Sequence, residues 1–227
     1  MMKQVYSVAI DGPAGAGKST IARRVASELG FVYMDTGAIY RTVAYAVLRS
    51  CMDPKNAEAV ATYLPTISIV PIWDDSGVQH MLLDGEDVSA FIRSPEVSQN
   101  ASVVAAIPMV RDFLLETQRS VAREYSVIMD GRDIGTVVLP NADIKIYLTA
   151  SAEVRAKRRW LELQAKNASD TYEQVLEEMI LRDLRDTQRE IAPLRQAEDA
   201  VLLDTSDMDL EQSIASVVSL VREACGA

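Results

Sequence analysis

Residues 12–19 read Gly-Pro-Ala-Gly-Ala-Gly-Lys-Ser, which is the G-x-x-x-x-G-K-[ST] pattern of a phosphate-binding loop. An apolar run at Val5–Ile10 precedes the loop and a helix-like segment at Lys18–Leu29 follows it, as the motif requires. Glycines let backbone N–H groups surround a polyphosphate, and the helix N-terminus adds positive potential at the same point. The chain is therefore predicted to place a nucleoside triphosphate site between a strand and a helix.

Each position of the loop has a predicted part in binding the triphosphate. Lys18 is expected to reach the β- and γ-phosphates, and the hydroxyl of Ser19 is expected to bind Mg2+. A glycine-rich turn without a ligand is the alternative, which four fixed positions at fixed spacing disfavour. The predicted ATP-binding residues are Gly12, Pro13, Ala14, Gly15, Ala16, Gly17, Lys18, Ser19 and Thr20.

Short apolar runs alternate with longer helical stretches along the rest of the chain, which predicts an α/β fold with a parallel sheet wrapped by helices. The runs lack polar alternation, as expected when both faces of a strand are covered. The predicted strands are Gln4–Ile10, Phe31–Met34, Val127–Asp130, Ile144–Leu148 and Ala200–Leu203. The predicted helices are Lys18–Leu29, Gly37–Arg49, Ser94–Ala106, Met109–Glu124, Ala152–Ala165, Thr171–Glu190 and Leu210–Ala224.

Two segments depart from this alternation. Residues 64–87 contain β-like runs at 66–70 and 80–84 on either side of a turn signal at 74–77, which predicts a small antiparallel hairpin. An irregular stretch at 166–170 separates two arginine-rich helices. Irregular segments beside a phosphate site often move during turnover.

Charge and cysteine content limit the function classes. The 227-residue chain has 23 basic and 33 acidic residues and a net charge of −10, which argues against nonspecific binding to nucleic acid or an anionic membrane. No apolar stretch approaches the length of a membrane span. Two cysteines, Cys51 and Cys225, form no C-x-x-C pair, which fits a cytoplasmic protein.

Arginines mark where a phosphate-bearing acceptor would bind. A guanidinium fork grips phosphate oxygens and stabilises the dispersed negative charge of a transferring phosphoryl group. Arg132 follows a predicted buried strand directly, and Arg41 follows the second strand–helix junction. The N-K-x-D motif with which GTPases read guanine is missing from the sequence. These features together favour a small-molecule kinase.

Several further segments carry a resemblance to one family of such kinases. They are IDGPAGAGKST at 10–20, MDTGAIYR at 34–41, LLDGEDVS at 82–89, residues 94–111, DGRDIGTVV at 130–138 and RDLRDTQREIAPL at 182–194. With these motifs the chain resembles the bacterial cytidylate kinases, P-loop nucleoside monophosphate kinases that pass the γ-phosphate of ATP to CMP or dCMP. The departures are mild: Thr36 stands where many members have Ser, and Ser19 stands where some have Gly.

The resemblance implies an architecture and partners. The expected fold is a P-loop kinase core with a five-stranded parallel sheet, a small antiparallel insert that binds the nucleoside monophosphate, and a helical lid. We expect a single kinase domain over 1–227, with the insert at about 64–93 and the lid at about 155–170. The implied ligands are ATP with Mg2+, CMP and dCMP, and the implied state is a monomer without nucleic-acid or membrane partners.

The resemblance also assigns roles residue by residue. Arg41 and Arg132 would hold the phosphate of CMP. The residues similar to the family's cytosine-facing group are Thr36, Ser102, Arg111 and Asp133. Those similar to contacts with the ribose and its neighbouring groups are Arg182, Asp186 and Arg189. The expected catalytic residues are Lys18, Arg132 and the lid residue Arg158, with Ser19 as the metal ligand.

Other functions remain open from the sequence. The acceptor of a related kinase could be UMP, another deoxynucleotide or a metabolite such as shikimate. A nucleotide-dependent switch or regulatory ATPase would use the same loop without a small acceptor, although the arginines and the insert disfavour it. A kinase acting on nucleic-acid ends is disfavoured by the net charge.

Overall fold

The computed structural model describes residues 5–165 and 167–226. Gln4, the first residue of a predicted strand, and Lys166, the first of the predicted irregular stretch, lie outside the described residues. A five-stranded sheet contains β1 (Ser7–Asp11), β2 (Val32–Asp35), β6 (Val127–Gly131), β7 (Ile144–Thr149) and β8 (Val201–Asp204) in the order β2-β6-β1-β7-β8. A three-stranded sheet contains β3 (Ile69–Trp73), β4 (Gln79–Leu83) and β5 (Glu86–Asp87).

Within the described residues, eight α-helices accompany these strands. They are α1 (Lys18–Leu29), α2 (Thr36–Arg49), α3 (Ala57–Tyr63), α4 (Pro95–Val104), α5 (Pro108–Glu124), α6 (Ala152–Gln164), α7 (Tyr172–Gln188) and α8 (Leu210–Cys225). The α/β fold class predicted from the sequence is confirmed, with a parallel five-stranded sheet, surrounding helices and a small antiparallel sheet. No helix of the described chain is both long and apolar enough to cross a membrane.

The chain divides into two units, and the first consists of residues 1–5 and 31–127. Its helix α2 packs against α4 and α5, and its small sheet pairs β3, β4 and β5 in antiparallel fashion. The indole N–H of Trp73 donates to the carbonyl of Tyr33 at 2.8 Å, which attaches β3 to β2. Gln79 on β4 accepts from the backbone N–H of Asp35 at 2.7 Å.

The first strand of the hairpin is shifted from its predicted position. We expected β structure at 66–70, whereas β3 covers Ile69–Trp73. Pro65 lies in the first turn of a 3-10 helix over Leu64–Thr66, and this turn removes Thr66 from the strand. Pro71 lies inside β3, where its missing N–H is tolerated because β3 is an edge strand of its sheet.

The second unit consists of residues 6–30 and 128–227. The central strands β1 and β7 pair in parallel, with Ile10 aligned with Ile146. The side chains of both residues are buried in the core. Helix α1 packs against α8, and α6 packs against α7. The expectation that both faces of every core strand are covered is wrong for β8, because β8 is one of the two edge strands and its Val201 and Leu202 are exposed.

Candidate active site

The phosphate loop connects β1 to α1 in the second unit. Gly12 has φ of +150°, and a Cβ at this position would lie 1.9 Å from the carbonyl oxygen of Leu148 on β7. Gly15 and Gly17 have φ of +73° and +90°, which side-chain-bearing residues rarely adopt. The glycines of the motif therefore satisfy both a close backbone approach and a left-handed turn.

Lys18 lies buried at the first position of α1. Its Nζ donates to the carbonyl oxygens of Gly12 and Pro13, both at 2.7 Å. Burial lowers the pKa of Lys18 well below its usual range, and the positive charge of Arg132 lowers this pKa further. An anion bound at the loop would favour the charged form of Lys18, so the site is electrostatically suited to a phosphate.

Ser19 and Asp130 lie beside the loop and offer side-chain oxygen atoms that could bind a metal ion. The hydroxyl of Ser19 donates to Oδ2 of Asp130, the one acidic residue of β6, at 2.8 Å. Among the described residues, no group of three or more His, Cys, Asp or Glu side chains could hold a metal ion. A site with few protein oxygens suits Mg2+, which keeps several waters and binds substrate phosphates as well. The sequence predicted Ser19 for this task but did not assign Asp130 to it.

Five predicted substrate residues belong to this second unit, and ion pairs connect four of them. Nε of Arg132 donates to Oδ2 of Asp186 at 2.8 Å, and Nη2 of Arg189 donates to Oδ1 of Asp133 at 3.4 Å. Burial raises the pKa of Asp186, but the charge and hydrogen bond of Arg132, with the charge of Arg182, hold this pKa below its usual value. The carboxylate of Asp186 is therefore ionised at neutral pH.

A strained turn after α7 helps to orient Arg189. Ala192 has φ of +48°, a left-handed conformation that is costly for a residue with a Cβ. Its carbonyl oxygen accepts from Nε of Arg189 at 2.6 Å. The backbone N–H of Leu194 donates to the carbonyl oxygen of Asp186 at 2.8 Å, so the turn closes back on the helix that carries the acidic partner.

Four predicted substrate residues belong to the first unit. Nη2 of Arg41 on α2 donates to Oδ2 of Asp35 at 2.7 Å, and Nε of Arg41 is buried without a hydrogen-bond partner among the described residues. The guanidinium of Arg111 on α5 lies 5.5 Å above the ring of Tyr40, and its Nη1 donates to the carbonyl of Ala105. The remaining two are Thr36, which is buried at the start of α2, and Ser102, which is half-buried on α4.

The three arginines of α6 have different surroundings. Arg155 is buried and donates to the carbonyl of Ala14 in the phosphate loop at 2.9 Å, and it pairs with Asp183 of α7 at 2.7 Å. Arg158, the predicted catalytic lid residue, donates instead to the carbonyl oxygen of Thr205 at 2.8 Å. Arg159 is exposed and pairs with Glu162. Arg155 is thus the α6 arginine that touches the loop, and a catalytic role for Arg158 stays a prediction.

Comparison with known proteins identifies the family. The model of the cytidylate kinase family matches residues 8–223. The chain belongs to the cytidylate kinase family. A cytidylate kinase of an Exiguobacterium species is 48% identical over 223 residues, which cover 98% of this chain and 99% of that protein. The cytidylate kinase of Caldicellulosiruptor saccharolyticus is 48% identical over 225 residues, 99% of each chain.

A solved structure shares the fold of this chain. The crystal structure of an uncharacterized protein from Eubacterium ventriosum superimposes with a TM-score of 0.52 at 13% identity. The match covers 97% of this chain and 99% of that one. At this identity the likeness concerns the fold alone, and the cytidylate kinase membership rests on sequence.

Proposed function

We propose that the protein transfers the γ-phosphate of ATP to CMP or dCMP, producing CDP or dCDP. Membership of the cytidylate kinase family, whose model matches residues 8–223, supports this more than any other observation. The positive charges of Arg132 and Arg182, two predicted acceptor-site residues, also lower the pKa of buried Lys18 in the phosphate loop. Such an arrangement suits the transfer of a phosphoryl group between two phosphates, which needs cations for donor and acceptor close together.

On the donor side, we propose that residues 12–20 bind the triphosphate of ATP. Loop N–H groups and Lys18 would hold the phosphates, and Ser19 with Asp130 would hold Mg2+. An Mg2+ ion held there would supply positive charge that neutralises the phosphates of ATP. Arg155 would hold the loop in shape through its bond to Ala14.

On the acceptor side, we propose that Arg132 binds the phosphate of CMP and that Asp133 faces the cytosine. Cytosine presents an N4 amino donor, which a carboxylate accepts, whereas uracil presents a carbonyl oxygen there. A hydrogen-bonding site rejects the wrong base strongly because its buried polar groups would stay unpaired. The proposed sugar contacts are Arg182, Asp186 and Arg189, and the proposed contacts of the first unit are Thr36, Arg41, Ser102 and Arg111.

This transfer needs no general base from the protein. The attacking atom is a phosphate oxygen that is already anionic at neutral pH. The work of the chain is to align donor and acceptor and to neutralise the charge of the transferring group with Lys18 and the arginines. Exclusion of water by a lid at about 155–170 and by the insert at about 64–93 stays a prediction, as do the monomeric state and the cytoplasmic location.

An acceptor panel tests the proposal. Purified protein is incubated with ATP and Mg2+ and with CMP, dCMP, UMP, AMP or shikimate, and ADP formation is followed. We expect kcat/KM to be highest for CMP and dCMP. Asp133→Asn should reduce the preference for CMP over UMP. The control is Asp143→Asn, which replaces an exposed carboxylate that accepts from the backbone N–H of Ser7, and it should keep this preference. Preference for another acceptor in the wild-type protein would refute the proposal.

A further inference from the structure

Asp11 is a buried carboxylate at the end of β1 that the proposed transfer does not use. Its side chain makes two hydrogen bonds to the backbone of a distant loop. Oδ1 accepts from the N–H of Ile134 at 2.8 Å, and Oδ2 accepts from the N–H of Gly135 at 2.7 Å. These N–H groups begin the π-helical turn Ile134–Val138, which directly follows Arg132 and Asp133.

Asp133 is the residue directly before this turn. An aspartate at this position usually accepts from the N–H of the second or third residue of a helix, which here is Gly135 or Thr136. Asp133 occupies this position, yet its side chain makes no capping bond and its Oδ1 accepts from Arg189. Asp11 therefore supplies the side-chain acceptor for Gly135, and also one for Ile134, while the carboxylate of Asp133 pairs with Arg189, another predicted substrate residue.

The surroundings of Gly135 leave the loop little room to shift. A Cβ on Gly135 would lie 3.1 Å from Cδ of Lys145 and 3.4 Å from Oδ2 of Asp11. Lys145 is itself held by the carbonyl of Pro140 and by the carboxylate of Asp199. The two bonds to Asp11 therefore define the position of the backbone that carries Arg132 and Asp133.

We propose that Asp11 is a positioning residue for the acceptor nucleotide, because it holds the backbone at 134–135 and thereby orients Arg132 and Asp133. The inference rests on the proposed function, in which these two side chains bind CMP. Asp11 touches no reacting group in this scheme and acts only through the loop. Its loss should therefore affect CMP more than ATP.

Ionisation of Asp11 matters for this role. Burial raises the pKa of Asp11 to about 6, against the two backbone hydrogen bonds, which lower it. The charge of Asp133 raises the pKa of Asp11 and that of Lys18 lowers it. Tyr147, opposite Asp11 on β7, and Lys145, which lies against Gly135, are further titratable groups nearby. A protonated carboxyl has no negative charge and carries a hydrogen on one oxygen, which makes that oxygen a weaker acceptor for its N–H partner.

Steady-state kinetics of Asp11→Asn provide the first test. The amide offers one acceptor oxygen where the carboxylate has two, so we expect the KM for CMP to rise about tenfold and the KM for ATP to change by less than about twofold. Asp143→Asn, in which another carboxylate that accepts a backbone N–H is replaced, should resemble the wild type. An equal increase in the KM for CMP and the KM for ATP, or an unchanged KM for CMP, would overturn the proposal.

Nuclear magnetic resonance of the wild-type protein provides a test that does not depend on the variant folding. The amide resonance of Gly135 should titrate with a midpoint near the pKa of about 6 of Asp11. Cytidine binding is measured over the same pH range, because cytidine has no phosphate group that titrates. The affinity for cytidine should decrease as the pH falls and the Gly135 resonance shifts to its low-pH value. A Gly135 amide that does not move between pH 5 and 7, or cytidine binding that does not follow it, contradicts the inference.

The two proposals fail separately. A wild-type protein that does not phosphorylate CMP refutes the proposed function, and the Asp11 inference falls with it. A wild-type protein that phosphorylates CMP, together with an Asp11→Asn variant of unchanged KM for CMP, refutes the inference alone.

Discussion

Gly12 brings the start of the phosphate loop against the backbone of β7. A Cβ there would approach the carbonyl oxygen of Leu148 to 1.9 Å, and neither backbone can move without breaking the pairing of β1 with β7. We expect Gly12→Ala to lower the free energy of unfolding by about 3 kcal/mol or more. Gly30→Ala is the matched control, because Gly30 also has a positive φ but has open space around it.

Urea denaturation of the two variants measures the difference. Gly30→Ala should cost only the left-handed backbone penalty of about 1 kcal/mol. Equal losses of stability in the two variants would show that the approach to Leu148 contributes nothing beyond the backbone conformation.

Asp11 gives the protein a pH-dependent stability of unusual sign for a carboxylate. Its pKa is raised from 3.8 to about 6, mainly by burial, so the folded state binds a proton that the unfolded state has released. Stability from this group is present below about pH 4 and is lost as the pH rises through 6. The lost free energy is about 3 kcal/mol.

Chemical denaturation of the wild type and of Asp11→Asn between pH 4 and 7 checks this prediction. The stability of the wild type relative to the variant should decrease as the pH rises, because asparagine does not titrate. A constant difference across this range would contradict the raised pKa. At neutral pH the ionised carboxylate of Asp11 therefore lowers the stability of the fold, so its contribution is expected in the proposed site and not in the free energy of unfolding.

Helix α6 carries three arginines whose contributions should differ. Arg155 is buried between the phosphate loop and Asp183, whereas Arg159 is exposed. We expect Arg155→Ala to lower kcat/KM for ATP at least about tenfold, since it leaves Asp183 without its partner and loosens the loop. Arg159→Ala should stay within about 0.5 kcal/mol of the wild-type stability and keep its activity.

Steady-state kinetics with ATP as the varied substrate, together with thermal unfolding, compare these variants with Arg158→Ala. A loss of turnover confined to Arg158→Ala, with Arg155→Ala like the wild type, would favour the role that the sequence predicted for Arg158. It would also contradict the larger contribution expected of Arg155.

The longer helices and the short strands of the five-stranded sheet were predictable, whereas helix α3 and the position of β3 were not. The predicted helix Lys18–Leu29 agrees with α1, because an apolar stripe repeats at helical spacing and Gly30 provides the left-handed end. Helix α3 has seven residues and one buried side chain, so its sequence lacked a detectable period. The position of β3 depended on a 3-10 turn at Pro65, which periodicity does not reveal.

The charge of the whole molecule bears on the remaining alternative of a nucleic-acid-end kinase. A net charge of −10 repels the phosphate backbone of DNA and offers no release of its counterions. We expect no binding of a labelled DNA duplex at protein concentrations up to about 100 μM in low salt. Fluorescence anisotropy measures this, with CMP phosphorylation by the same preparation as the activity control; saturable binding would contradict the prediction.

The sequence alone determined the phosphate loop and the class of reaction, because the motif's backbone geometry depends on residues within nine positions of one another. Its longer motifs also indicated the family and most members of the site. Only the tertiary structure decided what each charged side chain contacts. Asp11 accepts from the backbone of the turn after Asp133, and Asp186 pairs with Arg132. The α6 arginine that donates to the phosphate loop is Arg155, whereas the sequence had pointed to Arg158. Such pairs join residues far apart in the chain, and strand order and helix packing bring them together, which local spacing does not encode.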